Sequence, residues 1–132
     1  MTSENYDEKK ISSLETQAKK LNDASTKNLL SNLFYNWGTC LMNLAKTKQG
    51  KEAEELYNQA IEKYQKAIEF GGSPYNLACL YAITGDEKNA LHFLDISLKN
   101  KEISTDFVLE DEDWKNLLEH EKFKAIIQKY KT

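Results

Sequence analysis

Apolar residues three and four positions apart recur along almost the whole 132-residue chain, and this period constrains its fold more than any other feature. In an α-helix such spacing gathers side chains on one face, whereas a half-buried strand needs strict alternation. Ile11, Leu14, Ala18 and Leu21 make the first stripe and predict a helix over roughly 5–22. Leu30, Phe34, Trp37, Leu41 and Leu44 make the second, running to about Lys48. Ala53, Leu56, Ala60, Tyr64, Ala67 and Ile68 make the third. Leu77, Ala78 and Tyr81 then precede a last regular stripe of Ala90, Leu91, Leu94 and Leu98. No segment alternates usefully with β-branched residues, so the expected class is all-α.

The breaks between stripes carry their own chemistry. Asp23 or Ser25 can cap a helix after Asn22, because a short side-chain oxygen accepts from the free N–H groups of a first turn. Gly50, Gly71-Gly72 and Gly85 stand where helices should stop, since glycine enters the left-handed conformation without a Cβ penalty. Ser73-Pro74 reads as N-cap and first helical residue, and Asp86 as the next cap. Turns this short make consecutive helices antiparallel, so stacked helical hairpins are expected. After Lys99 the pattern loosens. Ser104-Thr105-Asp106 and Asp111-Glu112-Asp113 are start signals for short helices carrying Trp114, Leu117 and Leu118, then Phe123, Ile126, Ile127 and Tyr130. The expected organisation is one domain over 1–132. It has an N-terminal helix (1–24), an elongated first hairpin (25–70), a second hairpin (73–99) and C-terminal covering helices (104–131).

Composition excludes several functions. A net charge of −3 with interspersed signs offers no basic face for nucleic acid. No apolar run approaches the ~20 residues that span a bilayer. Thr2-Ser3-Glu4-Asn5 is polar and acidic, unlike a signal or transit sequence, so a cytoplasmic protein is expected. Cys40 and Cys79 fit no metal-ligand spacing; reduced thiols are the default, with a disulfide between them left open. His92 and His120 have no partner at ligand spacing; His92 is expected at the surface and His120 in a capping or exposed role. There is no phosphate-cradling glycine loop, and Asp111-Glu112-Asp113 lacks the glycine and spaced ligands of a calcium loop. Neither catalysis, nor a metal, nor a cofactor is expected.

The run Tyr75-Asn76-Leu77-Ala78-x-x-Tyr81-x-x-x-Gly85-Asp86-x-x-x-Ala90-Leu91-x-x-Leu94-x-x-Ser97-Leu98 resembles a tetratricopeptide repeat. Ala78, Ala90 and Ser97 stand at the small positions of that pattern, and Leu77, Tyr81 and Leu94 at the large ones. An upstream copy places Phe34, Trp37, Gly38 and Leu41 on its first helix and Ala60, Tyr64 and Ala67 on its second. Gly38 to Gly50 exceeds Ala78 to Gly85 by five residues, and Gly50 to Ala60 exceeds Gly85 to Ala90 by five. Matched insertions predict a first hairpin longer by ~7.5 Å in both arms. The segment from Asp111 to Ile126 looks like the closing element that covers the apolar end of such arrays.

The resemblance implies that the first helix of each hairpin lines a concave, partner-binding face. Carried over by position, that face holds Asn32, Tyr35, Asn36, Thr39, Met42 and Asn43 on the first hairpin. On the second it holds Tyr75, Asn76, Cys79 and Ala82. Chaperone-binding members grip a C-terminal carboxylate with basic residues over three repeats; here those positions hold Tyr35 and Asn32, which disfavours such a clamp. The expected function is a non-catalytic interaction module, adaptor or co-chaperone-like, for a protein or peptide. The alternative is a self-associating structural protein that uses the projecting hairpin (Lys46 to Tyr57) or the Trp114–Tyr130 end.

Overall fold

The computed structural model describes residues 7–21 and 23–131, so the ends of the helix expected over 5–22 lie outside the described residues. All regular structure among the described residues is helical, in seven α-helices and one 3-10 helix. None of these helices is long and apolar enough to cross a membrane. The chain divides into two compact units, Met1–Gly72 and Ser73–Thr132.

The first unit contains α1 (Glu8–Leu21), α2 (Ala24–Ala45) and α3 (Gly50–Glu69). Asp23 caps α2 by accepting from the Ser25 N–H at 3.1 Å, and its other oxygen accepts from the Thr26 hydroxyl at 2.6 Å. The core is the seam between α2 and α3. Leu30, Phe34, Trp37 and Leu41 are buried on one helix and Ala60, Tyr64 and Ala67 on the other. Burying a large apolar side chain contributes about 1.5–3 kcal/mol. Gly38 lets the helices approach: a Cβ there would lie 2.8 Å from the Tyr64 ring. Tyr64 is held in place because its hydroxyl pairs with that of Thr39 at 2.9 Å. Helix α1 packs on α2 through Ile11 and Ala18 and is pinned to α3 by two ion pairs, Lys19–Glu69 at 2.8 Å and Glu15–Lys66 at 3.0 Å.

The turn between α2 and α3 differs from expectation. Helix α2 ends at Ala45 rather than near Lys48, because the Thr47 and Lys48 N–H groups bond three residues back, to Leu44 and Ala45, and tighten the chain. Gly50, with φ of 61°, opens α3 instead of closing α2. The two arms are therefore not lengthened equally towards the turn. Both are longer than those of the second hairpin, 22 and 20 residues against 10 and 13. Most of the extra length of α2, however, lies before Gly38. Helix α3 ends as expected. Gly71 is left-handed (φ 99°), and the Gly72 N–H reaches back to the Ala67 carbonyl at 2.8 Å.

The second unit contains α4 (Tyr75–Thr84), α5 (Glu87–Lys99), α6 (Thr105–Glu110), the 3-10 helix η1 (Glu112–Leu117) and α7 (Glu121–Tyr130). The Ser73 hydroxyl accepts from the Tyr75 N–H at 3.2 Å, and Pro74 stands at the N-cap of α4, one position ahead of the place expected for it. Gly85 (φ 87°) and Asp86, whose side chain accepts from the Asn89 N–H, make the α4–α5 turn. Seven of the ten residues of α4 are buried, because α5 covers one side and η1 another. A helix apolar all round belongs in an interior, which explains its weak amphipathic pattern. Trp114 and Phe123, both almost wholly enclosed, stack 5.7 Å apart, and α7 lies along α5. Helix α5 closes on Lys101 in the left-handed conformation (φ 60°), where glycine is usual.

Candidate interaction surface

The residues expected to share one binding face fall into two different environments. On α2, Asn32, Tyr35, Asn36 and Asn43 are exposed, and Thr39 and Met42 are half-buried. With Asn28 and Leu29 they form a stripe three and four residues apart along α2. Tyr35 leans on the Tyr64 ring with centroids 6.0 Å apart, and Thr39 is occupied by the Tyr64 hydroxyl. The stripe is thus anchored to α3 in the middle and open to solvent on either side. Lys27 is the one charged residue among the 22 of α2, although helices normally turn charged residues to water. Leu29 is 57% and Tyr35 39% exposed. The end of the same hairpin is also incompletely covered, with Leu44, Ala53, Leu56 and Tyr57 half-buried.

On α4 the expectation of an exposed face has to be corrected. Tyr75, Cys79 and Ala82 are buried, and only Asn76 stays half-buried. For Tyr75 and Cys79 the cause is the C-terminal segment, which brings the Asp111 carboxylate onto both. Asp111 Oδ2 accepts from the Tyr75 hydroxyl at 2.6 Å and from the Cys79 thiol at 3.7 Å, while Oδ1 accepts from the Asp113 N–H at 3.0 Å. The Trp114 indole N–H in turn donates to the Tyr75 hydroxyl oxygen at 3.1 Å. Asp111 thus caps η1 with one carboxylate oxygen and holds α4 with the other.

The Tyr75 phenol and the Cys79 thiol keep their protons. Burial pushes the Cys79 thiol above its ordinary range, and the Asp111 and Asp113 carboxylates push it further. Burial first, then its neighbours Cys79 and Asp111, also raise the Tyr75 phenol. A thiol held neutral is a poor nucleophile. Cys79, Asp111 and Asp113 bring one thiol and two carboxylates within 4.8 Å of one another. A cation there would have to displace the proton and the bonds just described. Cys40 is half-buried in the first unit, and both thiols are free.

The histidines take structural places. His120 Nδ1 accepts from the Lys122 N–H at 3.2 Å and caps α7, while Nε2 meets a Glu87 carboxylate oxygen at 2.9 Å. His92 is exposed, edge-on to Phe93. Two features escaped the sequence reading. Lys88, His92 and Lys122 rim an open groove between α5 and α7, and Phe107 and Leu109 stand out from α6. Lysines along α7 read as an ordinary solvated face, and the period of a six-residue helix is too short to reveal which side is left uncovered. Compared with family models, with curated proteins and with solved structures, the chain finds no match.

Proposed function

We propose that this chain is a non-catalytic interaction module of tetratricopeptide type that holds a partner protein or an extended peptide against the exposed stripe of α2. The observation that carries this reading is the composition of that stripe. Asn28, Asn32, Asn36 and Asn43 alternate with Leu29 and Tyr35, and Lys27 is the only charge on the helix. Each amide offers both a donor and an acceptor to a peptide backbone. Tyr and Leu add apolar area, and depletion of charge around aromatic residues marks interface cores. The tetratricopeptide resemblance assigns Asn32, Tyr35, Asn36, Thr39, Met42 and Asn43 of this stripe to ligand binding. On α4, Tyr75 and Cys79 are engaged by the chain's own Asp111–Trp114 segment, so the proposed site lies on the first unit alone.

The test is affinity capture from the native host with the wild-type chain and with the triple variant Asn32→Lys, Tyr35→Ser, Asn36→Lys. All three side chains are exposed, so circular dichroism should show the same helicity for both proteins. Partners held by the wild type and lost by the variant support the reading; an identical set of captured proteins removes the α2 stripe as the site.

A further inference from the structure

The second unit carries a basic-rimmed apolar groove and, on a different element, an acidic apolar edge. The groove lies between α5 and α7 and encloses about 680 Å³. Leu91, Ala125 and Ile126 supply its apolar lining, and Lys88, His92 and Lys122 its polar rim. Asp95 also lines the groove, where it meets Lys129 at 3.5 Å, and the neighbouring Glu87 meets His120 at 2.9 Å. Lys88 and Lys122 are exposed and pair with no carboxylate among the described residues, so both ammonium groups remain open to carboxylates of another molecule. The edge is the outer side of α6. Thr105 and Val108 face inward, while Asp106, Phe107, Leu109 and Glu110 face out. Phe107 meets Tyr75 edge-on at 6.1 Å yet stays 54% exposed, and Leu109 is 40% exposed. No α6 residue lines the groove.

We propose that these two surfaces bind each other between copies of the chain, the α6 edge of one molecule seating Phe107 and Leu109 in the α5–α7 groove of the next. Two lysines then face two carboxylates around an apolar centre, the arrangement of complementary charge rim and desolvated anchor seen in specific interfaces. Each copy presents one groove and one edge. Association therefore either closes as a symmetric pair in which the contact is made twice, or continues from copy to copy. This contact uses neither the α2 stripe nor its partner, so it stands or falls separately from the proposed binding function.

Sedimentation velocity on the full chain over a micromolar-to-millimolar concentration series tests it. The wild type should gain mass with concentration, and less so as salt rises, because the rim charges are solvent-exposed. The variant Lys88→Glu, Lys122→Glu has two acidic surfaces, and the variant Asp106→Lys, Glu110→Lys has two basic ones. Each alone should associate at least about tenfold more weakly. Mixed in equal amounts they should associate again, groove of one to edge of the other. Should a double variant lose helicity, Lys122→Glu and Glu110→Lys repeat the experiment singly. A wild type that stays monomeric throughout overturns the proposal. So does association that neither variant weakens, or a mixture no heavier than its components.

Discussion

Replacing Tyr75 by Phe removes one oxygen from the centre of the second unit and nothing else. That oxygen donates to Asp111 at 2.6 Å and accepts from the Trp114 indole at 3.1 Å. Trp114 is fully buried, so its N–H has no access to water once the acceptor is gone. A buried donor left unsatisfied costs about 1–3 kcal/mol, and a hydrogen bond to a charged group contributes about 1.5–3 kcal/mol. The second contribution must be discounted, because Asp111 is only half-buried and water can replace part of the lost bond. The expected loss is therefore about 2–4 kcal/mol. It should appear in urea unfolding followed by circular dichroism as a lower midpoint with little change in slope. Cys79→Ala, which removes a 3.7 Å thiol contact and leaves the Trp114 N–H its acceptor, should cost less than Tyr75→Phe. A double-mutant cycle with Asp111→Asn should show that the Tyr75 and Asp111 losses are not additive. A Tyr75→Phe loss under about 0.5 kcal/mol would refute the reasoning, since the value would then be that of an ordinary surface change.

Three further outcomes follow from local geometry. Gly38→Ala should destabilise the first unit by about 1–2 kcal/mol, although alanine is the better helix former, because its Cβ meets a pinned Tyr64 ring; a raised urea midpoint would show that the helices are not in close approach. Lys101→Gly should raise stability by about 1 kcal/mol by removing the left-handed penalty of a residue with a Cβ, and an unchanged thermal midpoint counts against that conformation. Hydrogen bonding from Lys19 holds the Glu69 carboxyl below its usual range. Its contribution is thus present at neutral pH and fades as pH falls through the lowered value. Amide exchange in α1 should then rise on acidification in wild type more than in Glu69→Gln, by a small margin because the pair is half-exposed.

Much of this molecule follows from interactions within a few residues of chain. The helical period, the caps at Asp23, Asp86 and Ser104, and the left-handed glycines at 71 and 85 were all legible, because each depends on a side chain and backbone groups two to six positions away. The close approach at Gly38 was legible too, as a small residue where a repeat wants one. Gly50 was misread because a glycine between two helices can close the first or open the second, and the tight bonds of Thr47 and Lys48 decided it. The candidate site was legible by halves. For α2 the stripe of amides and aromatics could be placed by period alone, since it stands apart from the buried stripe of Leu30, Phe34, Trp37 and Leu41. For α4 period carries no such information, because nearly every side of it is apolar or small. Whether Tyr75 and Cys79 faced water depended on Asp111, 36 and 32 residues further along. A contact of that separation is set by how the closing segment folds back, not by local pattern. Sequence alone therefore determined the helices and where they end; only the tertiary structure decided which of their faces remain open to a partner.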